Sequence, residues 1–373
     1  MTVVEAYNRT ALSLYPDLME EGEDLVLSPF SIGMAMAMTQ AGARGDTAAE
    51  MARVLHLPSD VGQTTEGNSQ LMERLAMLNS REGVVLNVAN ALALAEHGDM
   101  IHDSYKTLLQ KHYDAELFKA DSVDPINRWV AEKTRNMIEQ LINAFPPNAV
   151  CVILNAVYFN GAWQHPFDED ATQPRPFHLS REKSEPVPTM EQTERLRLAK
   201  FDDMNVLALP YEHRDLRLLL LVPRDIEGLA AIERKLDHRL YSDVVAKIAD
   251  AEMRRVRLRL PKYKVETEAS LSAPFKGLGM KRAFSGKDAD FAGMMGKEEA
   301  PGMIWIHDIL HKAVIDVSET GTEAAAATGV IMATRAAPKS EPVELDVDRP
   351  FLYLLTDRQT DAILFMGRVL DPR

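Results

Sequence analysis

The spacing of apolar residues changes near residue 149, and that change limits the folds open to the chain. Before it, apolar positions recur every three or four residues. "VVEAYNRTALSLYPDL" sets Val3, Ala6, Tyr7, Ala11, Leu14 and Leu18 along one side of a helix. "SPFSIGMAMAMTQAG" opens on Ser28 as an N-cap, with Pro29 in the first turn, and closes at Gly42. It is apolar all round, which predicts a buried helix. "DTAAEMARVLHL", capped by Asp46, predicts another helix. "DPINRWVAEKTRNMIEQLI" predicts one more, with Ile126, Val130, Met137, Ile138 and Leu141 on or near one face. After residue 149 the pattern is that of strands. "AVCVILNAVYFNGAW" is a continuous run of β-branched and aromatic residues, suited to a strand buried on both faces. "VLALPYEHRDLRLLLLVP" predicts two strands around a polar hairpin, and "RRVRLRLPKYKVE" alternates arginine with Val and Leu at period two. "KAVIDVSE" and "PFLYLLTDRQTDAILFMGRVLDP" predict further strands, the latter a hairpin around "TDRQTD". Helices followed by long strands from separated parts of the chain predict an α+β fold with large mixed or antiparallel sheets. With no fixed-period repeat and no long linker, residues 1–373 are expected to form one domain.

Other features narrow the function classes. A formal net charge of −14 argues against nucleic acid as a main partner. The basic strand from Arg254 to Arg259 then reads as a solvated face, and "SQLMERLAMLNSREG", with two arginines and two glutamates, offers no evident glycosaminoglycan site. No run of 18 apolar residues exists to span a membrane. Cys151 is the one cysteine, so no intrachain disulfide forms. The start of the chain lacks the basic and apolar regions of a signal peptide. Export after processing is the expectation for location, with the cytoplasm as the alternative. No Gly-x-Ser-x-Gly elbow, His-Glu-x-x-His pair or phosphate loop appears, so neither an enzyme nor a cofactor is expected. "IWIHDILHKAVIDV" reads as extended, which would set His307 and His311 roughly 13 Å apart, too far to share a metal ion.

One stretch resists an ordinary reading. "ETGTEAAAATGVIMATRAAPKSEPVE", residues 319–344, sits between two strand-like runs, where a loop normally carries Gly, Pro, Asn, Asp and Ser. Its front half has no proline and a run of four alanines. Taken alone, it reads as an alanine-rich helical turn or a flexible linker.

The motifs around this stretch resemble the serpin family of serine-protease inhibitors. The likeness begins at "DLVLSPFSIGMAMAMTQAGARGDTAAEMARVL" and continues through "VILNAVYFNGAWQHPF" and "LPKYKVETEASLSAPFKGLGMKRAFS". It ends with "HKAVIDVSETGTEAAAATG" and "DRPFLYLLTDRQTDAILFMGRVLDP", in family order, over about residues 3–373. The resemblance implies a disulfide-free, prokaryotic-like member of inhibitory type. It implies three β-sheets, eight or nine helices and an exposed reactive-centre loop at about 319–344. It also implies a monomer whose partner is a serine protease. The protease cleaves the loop and becomes an acyl-enzyme; the freed loop then inserts into the main sheet and distorts its captor. Serpin loop insertion is itself an established instance of strand addition and of strain released by proteolysis. The alternative is a non-inhibitory serpin-fold binding or chaperone protein, whose hinge usually carries bulky, charged or proline residues.

On this reading the hinge comprises Glu319, Gly321, Thr322, Glu323, Ala324, Ala325, Ala326, Ala327 and Thr328. Thr322, Ala324, Ala326 and Thr328 form an inward set, small enough to slip beneath a helix covering the sheet. Glu323, Ala325, Ala327 and Gly329 face outward, and Gly321 supplies the unusual backbone freedom of a hinge. The family's spacing from the hinge glycine places the reactive bond at Arg335–Ala336, suiting a trypsin-like protease with an acidic pocket floor. Counting back from "RPF" points nearer Lys339, and Met332 or Thr334 would serve proteases of other preference. The resemblance maps the sheet-opening region onto Ser28, Pro29, Ser31, Asn155 and His311, with Trp163 at the top of the sheet where the loop enters. Asp24 stands where many serpins carry asparagine.

Overall fold

The computed structural model describes residues 2–79, 83–145, 149–298, 300–322 and 341–373. Among these are nine α-helices. They are α1 (Val3–Leu18), α2 (Pro29–Gly42), α3 (Gly45–Val54), α4 (Val61–Asn79), α5 (Asp103–Tyr113), α6 (Val123–Lys133), α7 (Leu229–Glu233), α8 (His238–Asp250) and α9 (Ser272–Gly277). The first eight strands are β1 (Leu25–Leu27), β2 (Val84–Leu94), β3 (Ala115–Lys119), β4 (Cys151–Ala162), β5 (Gln173–His178), β6 (Ser184–Lys200), β7 (Met204–Pro210) and β8 (Leu216–Pro223). The others are β9 (Met253–Pro261), β10 (Tyr263–Ser270), β11 (Leu310–Val317), β12 (Gly321–Thr322), β13 (Val343–Asp346), β14 (Phe351–Asp357) and β15 (Ile363–Val369).

The fold is α+β, as the change of period implies. One sheet runs β10-β11-β12-β4-β2-β3; the other runs β1-β15-β14-β8-β7-β6-β9-β13, with β5 beside β6. The long strand β6 explains why the expected third sheet is not a separate hydrogen-bonded body. Its first part pairs with β5 and β9, while residues 197–200 pair with β7. The small set β5, β6, β9 and β13 is thereby continuous with the larger one.

Helix α2 is buried on nearly every side, as its composition dictates. Ser28 caps it by accepting from the Ser31 N–H at 3.2 Å. Gly33 lets α1 lie close, since a Cβ there would stand 2.2 Å from the Tyr7 ring. Met34, Met36 and Met38 are fully buried beneath the six-stranded sheet's core, each contributing about 1.5–3 kcal/mol by leaving water.

Three sequence expectations are corrected. The helix read through "DPINRWVAEKTRNMIEQLI" stops at Lys133. The Thr134 hydroxyl donates to Val130 O and accepts from Ile138 N, competing with the helical pattern, and Arg135 and Asn136 take positive φ. Ile138 nevertheless stays buried with α6. The extended run read through "IWIHDILHKAVIDV" becomes a strand only at Leu310, leaving His307 ahead of the ladder. "RRVRLRLPKYKVE" divides at Lys262 into β9 and β10, which belong to different sheets.

Candidate functional site

Gly321 and Thr322, the start of the expected hinge, form β12 between β4 and β11 in the six-stranded sheet. Gly321 pairs with Ala162, and Thr322 pairs with Gly161 on one side and Val317 on the other, antiparallel to both. Among the described residues no other ladder joins β4 to β11. Gly321 has φ +155°, and a Cβ there would fall 2.1 Å from Gly161 O. Only glycine allows that approach.

A dense set of contacts holds this entrance. Trp163 donates its backbone N–H to Thr320 O at 3.0 Å and its indole N–H to Ser318 O at 2.9 Å. Phe167 N donates to Glu319 O at 2.9 Å. The Trp163 ring stacks on Tyr211 with centroids 4.6 Å apart, and Tyr211 meets Phe159 edge-on at 5.0 Å. The Tyr211 and Thr322 hydroxyls share a 2.6 Å hydrogen bond in a buried setting. Glu319 is buried as well; Thr172 donates to its Oε1 at 2.8 Å and Lys262 Nζ sits 2.8 Å from its Oε2. Burial pushes the Glu319 carboxyl up, but Lys262 and Thr172 outweigh it and hold the group below the ordinary glutamate range.

Lower in the sheet lie the residues expected to control its opening. Ser28 Oγ donates to Leu364 O at 2.8 Å, and Ser28 N donates to His311 Nε2 at 3.2 Å. His311 is therefore a neutral acceptor at Nε2, and burial pulls its pKa down to about 4. Pro29 opens α2, and the Ser31 N–H takes up the cap. Asn155 does not join this cluster. It donates from Nδ2 to Asn90 Oδ1 at 2.7 Å, and Asn90 donates to Tyr113 O at 2.7 Å. Among the described residues, the buried Asn155 Oδ1 accepts no hydrogen bond. Asp24 stands apart as well, accepting from Leu370 N at 2.5 Å and Asp371 N at 3.3 Å, with burial raising its pKa.

The covering helix lies on the face opposite to the one expected. α6 packs on Ala89, Ala91, Ala93, Leu154 and Ala156, with Val314 at the edge. Val157, Phe159, Ala313 and Ile315 face the main core instead. Side chains on the Thr322 face belong with the second group. An inserting strand would therefore pass its other set beneath α6.

Of the expected site residues, the structure brings Glu319, Gly321, Thr322 and Trp163 together and places Ser28, Pro29, Ser31 and His311 in a second cluster. Glu323, Ala324, Ala325, Ala326, Ala327, Thr328, Met332, Thr334, Arg335, Ala336 and Lys339 lie outside the described residues. Sequence reasoning missed Tyr211, Lys262, Thr172 and Asn90. Each meets the site from a strand or turn distant in sequence; Lys262 stands in a quoted motif, but nothing in that motif points to Glu319.

The Serpin family model, described as serine protease inhibitor, matches residues 5–372. A serpin-like protein of Thermococcus kodakarensis is 35% identical, over 100% of this chain and 86% of its own length. The leukocyte elastase inhibitor of Bos taurus is 33% identical, over 98% of each chain. The crystal structure of Serpin48, a highly specific serpin of Tenebrio molitor, superposes with a TM-score of 0.86 at 28% identity, covering 100% of this chain and 98% of that one.

Proposed function

The chain belongs to the serpin family, and from that premise we propose that it inhibits a trypsin-like serine protease as a suicide substrate. The protease serine attacks the Arg335 carbonyl, an ester forms, and the amine of Ala336 leaves. The freed arm then enters the six-stranded sheet beside β12, and the attached protease is carried along before water can release it.

The observation that carries this reading is the register of β12. Thr322 opposes Gly161 and Val317, so continuing the strand would set Ala324 between Phe159 and Ile315, and Ala326 between Val157 and Ala313. Thr328 would fall between Asn155 and His311, beside the carboxamide oxygen that accepts no bond among the described residues. The Thr322 face is closely packed core, where Ala, Ala and Thr add little volume. The other set, Ala325, Ala327 and Gly329, is small enough to pass beneath α6. A chain whose hinge suits both faces of an occupied sheet position is suited to insertion.

Mixing the protein with bovine trypsin and separating the products on a denaturing gel tests the proposal. A covalent complex with release of the peptide 336–373 is expected. Clean cleavage at the same bond without a complex would refute inhibition and leave a serpin-fold binding protein. Release of 340–373 would move the reactive bond to Lys339. Cleaved protein is also expected to melt far above the intact form.

A further inference from the structure

The arginines of β9 are not equivalent. Arg257 and Arg259 are neutralised: Arg257 lies 3.3 Å from Glu344, and Arg259 meets Glu191 and Asp346 at 2.8 Å. Arg255 stands directly opposite Arg195 of β6 on the same solvent face, and neither makes an ion pair among the described residues. Arg195 reaches only the Met253 carbonyl, at 3.4 Å. Glu194 and Glu252, nearby in the chain, and Glu341, just ahead of β13, do not pair with them either among the described residues. Like charges directly opposite across a ladder are destabilising. This pair is retained on a protein of net charge −14, with Arg254 exposed next to it and Met253 45% exposed. It also sits where the reactive-loop segment returns to the fold: Val343 of β13 pairs with Val256, one residue from Arg255. A protease seated on that segment would come to rest over this edge.

We propose that Arg195 and Arg255, with Arg254 at the rim, form an exosite for an acidic patch on the target protease. It speeds encounter through charge and takes no part in loop insertion. This rests on the inhibitory reading above, and the test separates the two.

Anionic and cationic trypsins share the preference for cleavage after arginine and differ in surface charge. Association rate constants are measured for both at low and high salt. The proteins compared are the wild type, R195E/R255E, the neutral R195S/R255S and the distant control R128E. In R195E/R255E the rate with anionic trypsin is expected to fall roughly tenfold at low salt, and the difference to close at high salt. R195S/R255S should lie between, and R128E should match the wild type. The number of inhibitor molecules consumed per protease, which reads insertion, should not change. Equal loss with both trypsins, or the same loss in R128E, would overturn the exosite. So would substitutions that change only the response to a long sulfated polysaccharide, which would assign the pair to a polyanion. Absence of a covalent complex with either trypsin in the wild type would refute the inhibitory reading itself.

Discussion

Thr322→Arg tests the proposal that insertion begins at Thr322. Thr322 is 2% exposed, flanked by Val317 and Gly161, with its hydroxyl 2.6 Å from that of Tyr211. Losing the bond between two buried neutral groups costs about 1 kcal/mol. Burying an uncompensated guanidinium costs about 3–5 kcal/mol more. At about 1.4 kcal/mol per factor of ten, the seat of β12 is disfavoured by roughly three orders of magnitude. On the proposed mechanism insertion competes with hydrolysis of the acyl-enzyme, so a handicap of that size should give a substrate instead of an inhibitor. Titration against trypsin should then show many molecules cut per protease silenced, with little covalent complex on a denaturing gel. Thr322→Val keeps the shape and loses only the hydroxyl, so its consumption per protease should rise a few fold. Wild-type stoichiometry in T322R would refute the register argument, because it would show that the Thr322 position stays outside the sheet during trapping.

Other outcomes follow from buried polar groups. His311 has a pKa near 4 in the fold against about 6.5 unfolded, so the unfolded chain binds more protons between those values. Its contribution is complete above about pH 6.5 and is lost as pH falls toward 4, by about 3 kcal/mol. His311→Gln should show a shallower fall of Tm from pH 6.5 to 4.5 than the wild type. Asp24→Asn keeps the acceptor for Leu370 and Asp371 and removes a buried charge, so it should match or raise wild-type Tm at pH 7, whereas Asp24→Ala should lower stability by about 1–2 kcal/mol. Arg74 ties α4 to two hairpins through Asp215 at 2.9 Å and Asp357 at 2.8 Å, the latter side chain being 1% exposed. Arg74→Met strands that carboxylate and should cost about 3 kcal/mol in urea unfolding.

α1, α2 and α3 and the strands from β4 onward that the motifs cover were legible because their apolar periods differ, and α2 stood out because no face of it is polar; β2 was not, since Val84–Leu94 lies in the part of the chain that reads as helical. The end of α6 was not, since the apolar pattern runs on through Ile138 while the break depends on the side chain of Thr134. The expected hinge at Gly321 and Thr322 came from the family motifs around it, since the alanine run alone reads as a helical turn or a linker. What holds it was not legible. Tyr211 and Lys262 come from a hairpin and a strand junction, and only the sheet order places them against Glu319 and Thr322. The grouping of Ser28 with His311, without Asn155, depends on which side of the sheet position each strand occupies, and no spacing in the sequence encodes that.

β12 and β13 flank the reactive-loop segment but belong to different sheets. If the arm 323–335 follows β12 into its sheet at about 3.3 Å per residue, the carbonyl end of the cut travels about 43 Å along the strand direction. The new amine at Ala336 would stay tethered through β13 to the other sheet. Peptide cleavage by a serine protease is chemically reversible so long as the amine waits beside the ester. Here the fold would remove the amine from the ester, and a reversible bond exchange would become a ratchet.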